Sequence, residues 1–440
     1  MGCKGSSPAY DTTKPYPPTA LSDVVAGCEE WITLGCGDKE YICAEKGATF
    51  SADNMPAELP DLTGHDNMLA DVLKANPALY AQYKDVKTKL GVNLGHCIKT
   101  GIDNKGHPMI KTCGLVAGDE ESWTLFKDIM DPVVSARHGG YAADALHPTD
   151  MDISKLSTRK IDPTGKYVLT TRCRTGRSLT GFRLPPVNSF EERRDIERLI
   201  VEGLMALKGN LAGDYYPLAG SRSYPSKMGG MSEAYATELR TGGNLFQEPD
   251  STLLLSSGCG RHWPDARGIF HNKDKNFFVW INEEDHSRII SMEKGDNVHS
   301  IFQRFCDATE AIAEVLAKNG SSFMRSDHLG FILTCPSNLG TGLRAGCMVM
   351  LPKLSARPDF KDICAKLRLQ ARGGSGVDSK AEGGKFDISN ADRLGHSEVT
   401  LVNMFIHGVA NFICWETALE AGTDIEESIA NAVAGEECKM

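Results

Sequence analysis

Apolar positions along this chain follow two periods, and the two fall in different stretches. Residues 1–20 follow neither. They carry Ser7-Pro8, Pro15 and Pro17-Pro18 among small polar residues, and read as a flexible tether. Residues 21–49 are more apolar around Trp31 and Ile32 but stay without a clear period, so 1–49 is taken as an N-terminal extension. Helical spacing begins at Asn67-Met68-Leu69-Ala70-Asp71-Val72-Leu73, and Pro77 restarts it through Leu79 and Tyr80. Turn residues crowd Gly101 to Pro108. Short helices and turns predict a small all-helical domain over 50–150. Pro148-Thr149-Asp150 and Asp162-Pro163-Thr164-Gly165 mark a linker.

Past the linker the two periods alternate. Tyr167–Thr170, Phe277–Ile281, Arg288–Met292, Phe331–Thr334 and Met348–Leu351 read as strands. Ser189 and Glu192 form a capping box ahead of a helix with Ile196, Leu199, Ile200 and Leu204 on one face. Val298–Asn319 is amphipathic and is stopped by Gly320. Strands on short turns with helices grouped apart predict an α+β fold. The small helical domain is followed by a larger one, 165–440, with an antiparallel sheet flanked by helices.

Charge and cysteine content narrow the classes. The net charge of −10 argues against nucleic acid as a partner, and an anionic ligand would need a local cluster of cations. No apolar run nears the roughly 20 residues of a membrane span, and no secretion signal is visible. The 14 cysteines include no Cys-x-x-Cys pair, so most read as reduced core thiols. Cys28, Cys36 and Cys43 leave a zinc site or a disulfide open in the extension.

Candidate chemistry collects at strand ends. Cys335-Pro336-Ser337-Asn338-Leu339-Gly340-Thr341-Gly342-Leu343-Arg344 puts a thiol, a hydroxyl, a glycine-bracketed turn and an arginine into ten positions. Arg172, Arg174 and Arg177 follow one strand, Arg288 follows the acidic run Asn282-Glu283-Glu284-Asp285-His286, and Arg372 opens a glycine-rich loop. Singly each arginine reads as a surface residue. Together they match phosphate, because a guanidinium fork fits phosphate oxygens bidentately. Glu284 could align a guanidinium and draw off its proton. The Arg372–Asp378 stretch and Ala381–Gly384 could close over phosphates and exclude water. No P-loop and no protein-kinase motif is present.

The Cys335 string resembles the signature of the phosphagen kinases, the ATP:guanido phosphotransferases. The resemblance runs from about Pro56 to the C-terminus. It includes Gly106-His107-Pro108, Ala117–Ser122, Arg137–Gly140, Thr175–Ser178, Trp263–Gly268, Asn282–His286 and Ser389–Gly395. It implies phosphoryl transfer between ATP or ADP and a guanidino compound, with Mg2+ held mostly by phosphates and water. The implied nucleotide residues are Arg172, Arg174, Arg288, Arg344, Arg372, Gly373, Gly374, Ser375, Gly376, Val377 and Asp387. The catalytic ones are Glu284, Cys335 and Arg344. The guanidino substrate would meet Ile110, Cys113, Arg137, Glu284, Ser337 and Val377, with Ser337 tuning Cys335.

Within the family the creatine-specific members are the better match. The His107-Pro108 loop is long, Arg137 stands where arginine-specific members tend to have Tyr, and Val377 where they have Glu. Ile110 and Val377 would form an apolar slot for creatine's N-methyl, worth about 1–3 kcal/mol. Glu382-Gly383-Gly384 looks more like the arginine-specific version. Arginine, glycocyamine and taurocyamine remain alternative substrates, and a non-catalytic structural relative is the alternative of a different class. Met348 and Gly243 stand where the family has nucleotide-side histidines, so weaker nucleotide binding is expected. His262 replaces an Asp near the family's dimer contact, which leaves a homodimer open. Finally, Met1-Gly2-Cys3-Lys4-Gly5-Ser6 fits N-myristoylation at Gly2 with palmitoylation at Cys3. Two chains would anchor the protein at the cytoplasmic face of a membrane, a ciliary or flagellar one included; without them it would be cytoplasmic.

Overall fold

The computed structural model describes residues 52–107, 110–221, 223, 230–373 and 383–435. Residues 1–51, with the expected acylation positions Gly2 and Cys3, and residues 374–382 lie outside them.

Helices come first among the described residues: α1 Met68–Ala75, α2 Ala78–Tyr83, α3 Leu94–Asp103, α4 Ser122–Leu125 and α5 Lys127–Arg137. Their starts are set by side-chain caps. Asn67 Oδ1 accepts from the Ala70 N–H at 2.8 Å, and Asn93 forms a capping box with His96. Leu69, Leu73, Ile98, Phe126, Ile129 and Val133 form their shared core. That core continues into Met324, Leu329, Ile332 and Leu339, so the helices pack directly on the segment that carries Cys335.

The larger part is built on an eight-stranded antiparallel sheet. Its strands are β1 Val168–Arg177, β2 Gly213–Pro217, β3 Gly268–Asn272, β4 Phe277–Ile281, β5 Ser287–Lys294, β8 Arg344–Met350, β9 Leu369–Gly373 and β10 Lys385–Asn390. They lie in the order β2-β3-β4-β5-β1-β8-β10-β9. Two-residue strands β6 Arg325–Ser326 and β7 Gly330–Phe331 form a small separate pair. The expected strand at Phe331–Thr334 is therefore mostly extended loop.

Helix α6 Phe190–Met205 carries the Ser189–Glu192 capping box read from sequence. Short helices α7 Glu233–Thr241 and α8 Thr252–Ser256 follow. Long helices α9 Val298–Lys318 and α11 Glu398–Glu420 cover one sheet face, with α10 Phe360–Lys366 between them in sequence and α12 Glu426–Val433 at the end. Cys173, Ala345, Cys347, Val349 and Ile388 point to that face and join Phe302, Phe305, Val402, Phe405 and Val409 in the main core. Strand side chains alternate, so the residues between these point away from the helices.

Candidate active site

The register of the central strands gathers the arginines. In β1, Arg174 lies opposite Arg344 of β8, and Arg172 lies opposite Gly346. On the other side, Gly176 lies opposite Arg288 of β5. Met348 of β8 pairs with Asp387 of β10, which pairs with Arg372 of β9. Directly opposed residues share a sheet face. Arg172, Arg174, Arg288, Arg344 and Arg372 thus stand on one face with Asp387 and Ser389, on the side away from α9 and α11.

One carboxylate pins two of these cations. Asp387 Oδ2 accepts from both Arg172 Nη2 and Arg344 Nη2, the latter at 2.7 Å. Arg344 Nε also donates to Ser389 Oγ at 2.9 Å. The Arg174 side chain makes no hydrogen bond among the described residues. Its guanidinium is pushed well below its ordinary range, first by burial and then by Arg288, Arg344, Arg172 and Arg393. Burial, followed by Arg344, Arg137 and Arg372, takes Arg393 down to about 9. Burial, partly offset by Asp387, takes Arg344 to about 10. So much unneutralised positive charge at one place fits a polyanion.

Beside the cations sits the acidic turn between β4 and β5. Asn282 adopts a positive φ of 55°, and its amide donates to the Arg193 and Ala266 carbonyls at 2.8 Å each. Asp285 Oδ1 accepts from the Thr334 N–H at 2.8 Å, which ties this turn to the segment that leads into Cys335. Arg288 donates to Glu283 at 2.9 Å and to Glu284 at 2.8 Å. The three carboxylates part company electrostatically. Burial raises Glu283 to about 7 and Asp285 to about 6. Burial also acts on Glu284, but Arg288, Arg174 and Arg393 outweigh it and hold that carboxyl below its ordinary value. Glu284 thus stays ionised throughout neutral pH, as a proton acceptor must be.

Cys335 caps a short 3-10 turn, Pro336–Asn338. Its thiol lies 3.1 Å from Ser337 Oγ. It is lowered to about 7, chiefly because the Cys113 thiol donates to it; burial opposes this and Ser337 adds to it. Cys113 is raised in turn. The turn is fastened from both sides: His138 Nε2 donates to the Pro336 carbonyl at 2.8 Å, and Arg393 donates to the Ser337 carbonyl. Gly340 (φ +89°) closes against the Arg393 carbonyl, where a Cβ would not fit.

Arg174, Asp285, Arg288, Asn338, Arg344 and Arg393 line one small cavity, so the cations, the acidic turn and the signature segment meet. Arg137 ends α5, and its charge acts on both Cys113 and Arg393. Ile110 is 48% exposed, and its proposed partner Val377 lies outside the described residues, as do Gly374, Ser375 and Gly376. Gly373 ends β9.

Arg177 departs from expectation. The strand runs through it rather than ending at Thr170, so parity turns it to the core face. There it donates to the Thr341 carbonyl and stacks on Phe331 at 3.4 Å. Arg393 also lines the site, although the sequence marks it only as part of Ser389–Gly395. Gly243 has φ +68° just past α7, a place that favours glycine for the turn alone. His262 is buried and stacks on Phe190 with ring centroids 3.7 Å apart. Among the described residues, no group of three His, Cys, Asp or Glu is placed to hold a metal ion.

Known proteins match most of this chain in sequence and fold. The model of the ATP:guanido phosphotransferase C-terminal catalytic domain matches residues 195–419, and that of the N-terminal domain matches 63–135. Creatine kinase M-type of Gallus gallus is 50% identical over 381 residues, 86% of this chain and 96% of that protein. The M-type enzyme of Rattus norvegicus is 50% identical over 84% of this chain and 94% of its own. The crystal structure of lombricine kinase superposes with a TM-score of 0.78 at 42% identity, covering 85% of this chain and 98% of that one. An antiparallel sheet with an arginine face, a thiol–hydroxyl turn and an acidic turn in register, matched along most of its length by these relatives, places the chain in the ATP:guanido phosphotransferase family.

Proposed function

We propose that the chain transfers the γ-phosphoryl group of ATP reversibly to the guanidino nitrogen of creatine, and so buffers ATP. The observation that carries the reading is the meeting of unneutralised arginines with an ionised Glu284. Phosphoryl transfer needs placement and charge neutralisation more than covalent chemistry. In the proposed reaction Arg172, Arg174, Arg288, Arg344 and Arg372 hold the phosphates, and Arg393 joins them. Magnesium arrives with the nucleotide as part of the substrate. Glu284 takes the guanidino proton as the N–P bond forms and the bond from Pγ to the ADP oxygen breaks. The Cys335 thiolate faces the guanidinium and helps orient it.

Creatine is favoured by the two M-type creatine kinases, each 50% identical to this chain, and by the absence of a carboxylate at Val377. A second reading, another guanidino acceptor, is favoured by the likeness to lombricine kinase. The proposal extends to two working parts, 50–150 and 165–440, and to membrane attachment through acyl chains on Gly2 and Cys3. No helix among the described residues is long and apolar enough to cross a membrane. The direct test is 31P NMR of the protein with MgATP and creatine. A phosphocreatine resonance rising as ATP falls is expected; ATP consumption without it would refute the assignment.

A further inference from the structure

Residues 159–164 cross helix α11 and leave a cleft of about 580 Å³ between them, within the range that takes small organic ligands. It lies on the helix side of the sheet, because α11 packs on β8 and β10 through the core face. Its floor is apolar: Ile161 on one wall, Ala410, Ile413 and Ala418 on the other. Positions 410, 414, 418 and 421 fall on one helix face, and their short side chains create the space. Two cations, Arg159 and Lys160, stand at the cleft with no lining carboxylate. Arg159 Nη1 is buried and has no hydrogen-bond partner among the described residues. A buried unpaired guanidinium N–H is costly, and an incoming anion would satisfy it.

Two carboxylates that adjoin the lining residues in sequence, Asp162 and Glu420, are already engaged. Asp162 accepts from the backbone N–H groups of Tyr167 and Val168 at 2.6 and 2.9 Å. Glu420 accepts from Lys166 and from the Tyr167 hydroxyl. The cleft therefore joins an apolar trough to two cations with no carboxylate in its lining. We propose that it is a binding site for a single-chain anionic amphiphile, a free long-chain carboxylate. The head group would sit on Arg159 and Lys160 and the chain would lie along α11.

The test is isothermal titration calorimetry of the full-length protein, expressed in bacteria without acylation, with dodecanoate kept below its micelle concentration. One saturable site is expected. Affinity should fall about fourfold for each methylene removed from the chain, and at least tenfold for dodecanol, which lacks the charge. Arg159→Met and Ala418→Trp should each weaken binding at least tenfold while phosphoryl transfer stays at the parent rate. Absence of saturable binding, or equal binding of dodecanol, would overturn the proposal, as would unchanged affinity in Arg159→Met. Binding of phosphatidylglycerol vesicles that is lost in Arg159→Met, with no dodecanoate site, would reassign the cleft to a membrane surface and overturn it as well.

Discussion

At the residue scale, the chemistry rests on ionisation states set by neighbours. Glu284 and Glu283 are adjacent in sequence, yet burial raises one and the arginines lower the other. Glu284→Gln should therefore lower turnover at least about 10²-fold with little change in KM for ATP. Near-parent turnover would remove Glu284 from the mechanism. Cys335 is lowered, so its thiolate is the form present above about pH 7 and is lost as pH falls through that value. Its alkylation rate should rise with a midpoint near 7, and Cys113→Val should move that midpoint upward by removing the thiol that donates to it. An unmoved midpoint would show that Cys113 does not tune Cys335. The sequence displayed the Cys335 string plainly, because its residues are contiguous. It could not display the Cys113 contact, which joins side chains 222 positions apart (335 minus 113).

At the scale of elements, register decides which arginines cooperate. The sequence reading placed Arg172 and Arg174 on a common face because they stand two apart. A strand that ends at Thr170 leaves the direction of Arg177 open. Strand β1 continues through Thr175, Gly176 and Arg177, whose polar composition hid it from a search for apolar alternation. The consequence is a pair of contrasting variants. Arg177→Met should destabilise the fold by about 1–3 kcal/mol, because it strips donors from buried oxygens. Arg174→Met should leave stability unchanged or raised, since it relieves repulsion, and should weaken ATP binding. Urea midpoints beside KM values for ATP distinguish the two; the reverse pattern would mean that the parity argument fails.

On the scale of the whole molecule, α+β architecture was legible because the helical and alternating periods occupy separate stretches. The order of the sheet was not, since β1 pairs with β5 and β8, far apart in sequence. Stability should also carry a molecular pH signature. Burial lowers His138 and His147 to about 4 and His286 to about 3. His286 Nδ1 accepts from the Leu179 N–H, so a proton there would meet a donor. A histidine lowered on folding contributes stability that is present above its unfolded pKa of about 6.5 and lost as pH falls toward the folded value. Urea midpoints should drop between pH 6.5 and 4, and His286→Gln should flatten that drop. A pH-independent midpoint would contradict the assignment of neutral buried imidazoles. Location belongs to this scale too: Gly2→Ala should move the protein from the membrane to the soluble fraction without changing specific activity. Parent protein that is fully soluble after gentle lysis and carries no acyl mass would end that part of the proposal.

The central claim is phosphoryl transfer from MgATP to creatine. It is tested most directly by measuring kcat/KM in one coupled assay of ADP formation against creatine, arginine, glycocyamine, taurocyamine and lombricine. The account predicts the highest value for creatine. A higher value for any other acceptor would contradict the creatine assignment, and no turnover above blank with all five would contradict a guanidino kinase altogether.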